Sequence, residues 1–116
     1  MDRDPCVYLL ARASHSNLYT GVTLNLLQRI AQHRTGALRG FTDYWSIRRL
    51  VWFEMHDDMQ TAIRREKSIK RWLRLWKYDL IAQHNPTWRD LAEDFGFPPI
   101  PPSEGRQAPG QARGDA

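Results

Sequence analysis

The stretch Ser16–His33, SNLYTGVTLNLLQRIAQH, decides how the rest of the chain is read. Its first half, "LYTGV", alternates β-branched and aromatic residues and reads as a strand. Its second half, "LNLLQRIAQH", places Leu26, Leu27, Ile30 and Ala31 on one stripe and reads as an amphipathic helix. Thr23 and Asn25 are both suitable N-caps, and Gln28 stands at capping-box distance from Asn25. Gly36 marks the helix end. Upstream, "CVYLLA" (Cys6–Ala11) is a second strand, and the polar "ASHSN" between the two strands is a turn. A short polar connection between two strands predicts an antiparallel hairpin, which places Tyr8 and Tyr19 on neighbouring strands.

Downstream, Gly36 to Ser46, with "GFTDYW", reads as a loop, and "RRLVWFE" (Arg48–Glu54) as a third strand. Asp57 or Asp58 caps a long helix from Met59 to about Arg74, with Gln60 at the third helical position. "LWKYDLIAQH" continues as a shorter helix after a small break and ends at Asn85-Pro86. "TWRDLAEDF" reads as a last short helix capped by Thr87. The order β-β-α-β-α-α predicts an α/β chain of the α+β type, a small three-stranded antiparallel sheet flanked by helices. The residues over 5–96 form one expected domain, and the Pro/Gly-rich 97–116 an expected disordered tail.

Composition narrows the function classes. A chain of 116 residues fits one domain. The one cysteine, Cys6, allows no internal disulfide, so the expected setting is reducing and cytoplasmic. No run is apolar enough to span a bilayer, and "MDRDPC" is unlike a signal peptide, so no membrane role is expected. The net charge of +4 favours an anionic partner. Most of the basic excess is local: Arg64, Arg65, Lys67, Lys70, Arg71, Arg74 and Lys77 stand against one acid, Glu66, with Trp72 and Trp76 interleaved. Such a segment is either a solvated helix face or a surface for a phosphate backbone.

Glu66 is the most informative residue of that helix. The apolar stripe Met59, Ala62, Ile63, Ile69, Leu73 and Trp76 contains it, so its carboxylate faces inward. An inward carboxylate must be paired, hydrogen-bonded or bound to a metal. The structural alternative is an ion pair, with Arg29 as one partner. Arg29 and His33 stand four residues apart at the edge of the first helix's stripe, within reach of the sheet margin. The guanidinium of Arg29 suits phosphate oxygens. Gly21, inside a strand, points to close backbone approach.

Taken together, these residues resemble the GIY-YIG nuclease superfamily. Its first signature is Cys6-Val7-Tyr8, in which Tyr8 is retained and the Gly and Ile are replaced; its second is Tyr19-Thr20-Gly21, with Thr20 in place of an aliphatic residue. The helix Arg falls at Arg29, the next position at His33, the metal-binding Glu at Glu66, and an accessory Asn at Asn85. The likeness covers about Val7 to Phe95. "LYTGVT", "RIAQH", "LVWFE" and "AIRREKSIKRW" resemble in particular the small single-domain bacterial members grouped with the catalytic region of the nucleotide-excision-repair endonuclease. The resemblance implies a metal-dependent endonuclease acting on DNA in repair or processing, with RNA left open. It implies one Mg²⁺ (or Mn²⁺) held by Glu66, a phosphate oxygen held by Arg29, and a tyrosine taking the proton of the attacking water. Tyr8 is the favoured base, Tyr19 positions water or phosphate, and His33 is an acceptor that assists. Gly21, Lys67, Lys70 and Arg71 join Arg29 as expected nucleic-acid contacts. Two other readings stay open: a binding module that keeps the fold without turnover, and a nuclease subunit whose specificity comes from a protein partner.

Overall fold

A computed structural model describes residues 4–35 and 47–100. The expected "GFTDYW" loop, the Gly36 stop signal and the tail from residue 101 onward lie outside the described residues. The elements are β1 (Cys6–Ala11), β2 (Leu18–Thr23), α1 (Leu26–Thr35), β3 (Arg49–Met55), α2 (Met59–Lys70), α3 (Arg74–His84) and a closing 3-10 helix (Leu91–Phe95). The sheet is three-stranded and antiparallel, in the order β2-β1-β3. The predicted β-β-α-β-α-α architecture is therefore the observed one.

β1 is the middle strand, and every one of its residues is buried. That is why its sequence is a continuous apolar run and not an alternating one. Cys6, Tyr8 and Leu10 point to one face, where Leu26 and Ile30 of α1 pack with Ile47, Leu50 and Ala92. Val7, Leu9 and Ala11 point to the other, against Ala62 and Ile69 of α2, Leu80 and Ile81 of α3, and Trp88. The register shifts between Leu9, opposite Trp52, and Leu10, opposite Leu50. The extra residue, Val51, lets Val51 and Trp52 enter the same core.

The helix ends follow side-chain chemistry. Asn25 caps α1, accepting from Gln28 N at 3.1 Å, and Asp58 caps α2, accepting from Thr61 N at 2.8 Å. α2 stops at Lys70, earlier than the predicted Arg74, because Leu73 adopts an extended conformation and serves as N-cap of α3. The helical phase resets there. Leu73 and Trp76, expected on the inward stripe, are exposed instead. The last helix also starts later than predicted. Thr87 is exposed, and the cap is Asp90, whose Oδ1 accepts from Ala92 N and Leu50 N while Oδ2 takes Arg34 at 2.6 Å. One buried carboxylate thus ties the 3-10 helix to β3 and α1. Phe97 packs on the α1-side core beneath the Arg34 guanidinium. Among the described residues, no helix is long and apolar enough to cross a membrane.

Candidate active site

The hairpin register builds the site. Tyr8 on β1 lies opposite Gly21 on β2, and Leu10 opposite Tyr19. Side chains alternate along a strand, so Tyr8, Tyr19 and Gly21 share the α1-side face. The phenol of Tyr8 lies directly over Gly21. A Cβ at position 21 would come within 2.5 Å of both Cζ and the hydroxyl oxygen of Tyr8. Gly21 is required for space and not for an unusual backbone, since among described glycines only Gly96 has positive φ. Tyr8 is fully buried, so its ring cannot simply swing aside. Gly21→Ala is expected to destabilise the fold by about 1–3 kcal/mol through overpacking and to displace the phenol from its partners. Thermal melts and the activity of the variant check both effects.

α1 supplies those partners. His33, only 3 % exposed, places Nε2 3.2 Å from the Tyr8 hydroxyl. Its ring lies edge-on to Tyr8 and to Tyr19, and the two tyrosine rings are 6.2 Å apart. The Arg29 guanidinium, one helical turn earlier, lies close enough to the same phenol to favour its ionised form. Arg48 reaches across from the start of β3 to donate to the His33 carbonyl at 3.2 Å.

The electrostatics follow from burial. Loss of water pushes the Tyr8 phenol up, and nearby Tyr19 adds to the effect; the charge and hydrogen bond of Arg29 oppose it but do not win. Tyr8 therefore holds its proton at neutral pH. Burial also pushes His33 down to about 4, with the Arg29 and Arg48 charges adding to it. His33 is then neutral at pH 7. The arrangement that satisfies all three groups has Arg29 donating to the phenol oxygen and the Tyr8 hydroxyl donating to an unprotonated Nε2.

This neutral, buried histidine links stability to pH. Its pKa is near 6.5 in the unfolded chain and about 4 in the folded one, so the unfolded chain binds the proton first. The associated stability is present above pH 6.5 and is lost as pH falls towards 4. The shift corresponds to on the order of 3 kcal/mol. Denaturant melts from pH 7 to 4 should show this loss, and His33→Gln should flatten that part of the curve.

Glu66 comes from α2. With Ala62 and Ile69 it forms that helix's buried face, as its place in the stripe predicts. It is only 6 % exposed. Its ion pair is with Lys70, whose Nζ lies 2.6 Å from Oε2. The Lys70 side chain is itself 55 % exposed. The hydrogen bond to Glu66 holds the Lys70 ammonium above its usual range, against partial burial, and the Glu66 charge and Tyr19 reinforce it. Tyr19 thus lies within electrostatic range of Lys70. A buried carboxylate that already stabilises a cation is a hard oxygen donor of the type that suits Mg²⁺. Among the described residues, no group of three or more His, Cys, Asp or Glu comes together. A divalent ion at Glu66 would accordingly take most of its ligands from water and substrate, as Mg²⁺ commonly does.

The other predicted residues fall elsewhere. Asn85 is buried, and its side chain donates to the carbonyls of Val51 and Arg89 and accepts from Arg89 N. It fastens the α3 exit to β3, and its amide is occupied by backbone. Lys67 and Arg71 are exposed on and just after α2. Sequence reasoning assigned Lys70 to nucleic acid and missed it as the partner of Glu66; the four-residue spacing was the available signal. The approach of Arg48 to His33 had no sequence signal, because it depends on how β3 enters the sheet.

Comparison with known proteins places this geometry in a family. A family model described as the GIY-YIG catalytic domain matches residues 4–79. A UPF0213 protein of Syntrophus aciditrophicus is 37% identical over 81 residues, 67% of this chain and 90% of that relative. A UPF0213 protein of Natronomonas pharaonis is 37% identical over 82 residues, 71% of this chain and 95% of the relative. The solution NMR structure of a UPF0213 protein from Bacillus halodurans aligns at a TM-score of 0.49 and 24% identity, covering 78% of this chain and 95% of that one. The matched span includes Tyr8, Tyr19, Gly21, Arg29, His33 and Glu66 and ends before Asn85. The chain therefore belongs to the GIY-YIG catalytic-domain family, and that domain points to nuclease activity.

Proposed function

We propose that this protein is a divalent-metal-dependent endonuclease that hydrolyses phosphodiester bonds in DNA, acting in the repair or processing of DNA structures in the cytoplasm. The observation that carries the reading is the buried Tyr8 phenol, 3.2 Å from a neutral His33 and under the charge of Arg29, with the inward-facing Glu66 carboxylate of α2 as the expected metal ligand.

Phosphodiester hydrolysis requires an activated water and shielding of charge on the phosphate. Glu66 would hold one Mg²⁺ or Mn²⁺, which when bound acidifies a water and offsets phosphate charge. Arg29 presents its donors to a non-bridging phosphate oxygen. Tyr8 is the favoured base. Because burial keeps it protonated, it accepts the proton of water on its oxygen only as its own proton passes to His33 Nε2, 3.2 Å away. His33 is neutral at pH 7, so the Nε2 that faces the Tyr8 hydroxyl can take that proton. Tyr19, half-buried at the rim, orients water or phosphate.

Lys70 sits where it competes with a metal ion for Glu66 Oε2. Its long, half-exposed side chain can move away to solvent or to a substrate phosphate. Lys70→Met should therefore bind Mn²⁺ several-fold more tightly, as read by titration calorimetry. Unchanged affinity would show that the ion pair does not contend with the metal.

The proposal is tested with labelled single-stranded, duplex, flapped and branched DNA, and matching RNA, incubated with Mg²⁺ or Mn²⁺. Cleavage of DNA that stops in EDTA supports it. Binding to every form without cutting, even with cell extract added, would favour a non-catalytic module. Cutting that appears only with the extract would point to a partner that supplies activity or specificity.

A further inference from the structure

The break between α2 and α3 leaves a feature that the site above does not use. A groove opens there, lined by Trp72, Trp76, Asp79, Leu80 and Gln83. The Trp72 and Trp76 rings meet edge to face at 6.4 Å, and Trp76 is 54 % exposed. An exposed tryptophan in a groove is costly to leave against water and calls for an occupant. Its surroundings say which kind. Arg74 and Lys77 stand on either side of Trp76 in the sequence of α3, and the Lys77 ammonium is held below its usual range by partial burial, with the Arg74 and Lys70 charges adding to it. An aromatic floor beside cations complements a base with its phosphates, since every base has a face to stack and every linkage a negative charge. The groove begins close to Glu66 along the chain, because its lining residue Trp72 stands two residues after Lys70, the partner of Glu66.

We propose that the Trp72–Trp76 groove binds an unpaired nucleic-acid strand, with a base stacked on Trp76 and its flanking phosphates on Arg74 and Lys77, so that the strand leads toward Glu66. The bases of an intact duplex are stacked on each other and cannot offer a face to Trp76. The direction of the strand, though not the groove's ligand, rests on the nuclease reading above.

The test measures binding of the full chain in EDTA, at fixed salt, by fluorescence anisotropy. The probes are labelled oligothymidine and oligouridine of about twelve nucleotides, and a blunt duplex of equal length. At least one single strand should bind about tenfold or more tightly than the duplex, and the stronger of the two names the preferred sugar. Trp76→Ala should weaken single-strand binding about tenfold and duplex binding less than about twofold, while Trp76→Phe restores most of the loss. Trp76 is exposed, so both variants should keep the wild-type circular dichroism spectrum. Equal binding of single strand and duplex, or equal weakening of both by Trp76→Ala, would overturn the proposal. So would a wild-type dimer that Trp76→Ala splits in sedimentation, because a second copy would then fill the groove. The two readings fail separately: single-strand preference without any cleavage defeats only the nuclease assignment, and cleavage with no role for Trp76 defeats only the groove.

Discussion

Glu66→Gln should abolish cleavage, by about 10³-fold or more, while leaving the fold intact. The substitution keeps the side chain's shape and removes its charge. Ala62 and Ile69 still pack on either side of it, so α2 has no cavity to absorb. The lost ion pair has a half-exposed lysine at its other end, which caps its worth at about 1 kcal/mol or less. A melting temperature within a few degrees of wild type is therefore expected alongside the lost activity. A large fall in stability with residual cleavage would instead mark Glu66 as a structural ion-pair member, the alternative that its inward position allows on sequence grounds.

Tyr8→Phe is the second large effect, expected to lower kcat by about 10²–10⁴-fold with KM little changed. The hydroxyl is the only atom removed, and the ring still covers Gly21. What is lost is the oxygen between Arg29 and His33 Nε2. Leaving the buried His33 without it should cost about 1–3 kcal/mol of stability, a second readout that does not depend on turnover. Tyr19→Phe should cost less on both counts, because Tyr19 is half-buried and its ring contacts survive the change. If the Tyr19 variant proved the more damaged in kcat, the roles of the two phenols would be exchanged.

Much of this was legible in the sequence because local and global signals agree. "CVYLLA" reads as a strand, and the hairpin after it allows one antiparallel partner on that side. The inward aim of Glu66 follows from helical period alone, and α2 bears it out. The same arithmetic failed one turn after Lys70, where it carried Leu73 and Trp76 inward. Periodicity holds only while the helix continues, and nothing in "RWLRLW" announces an extended Leu73 without an N-cap side chain. Thr87 was a plausible cap by type, but Asp90 forms contacts to Leu50 and Arg34 that no local reading can weigh. The protonation states of Tyr8 and His33 were likewise out of reach. They depend on how completely α1 shuts water from the sheet, which is a property of packing and not of spacing.

The most direct test of the central claim is to titrate Mn²⁺ into ¹⁵N-labelled protein and follow paramagnetic broadening of the backbone amides. Substoichiometric Mn²⁺ should selectively broaden the signals around Glu66, Lys70, Tyr19 and Gly21, and Glu66→Gln should remove this pattern. Broadening centred on the exposed Asp57 and Asp58, or a pattern unchanged by Glu66→Gln, would contradict it.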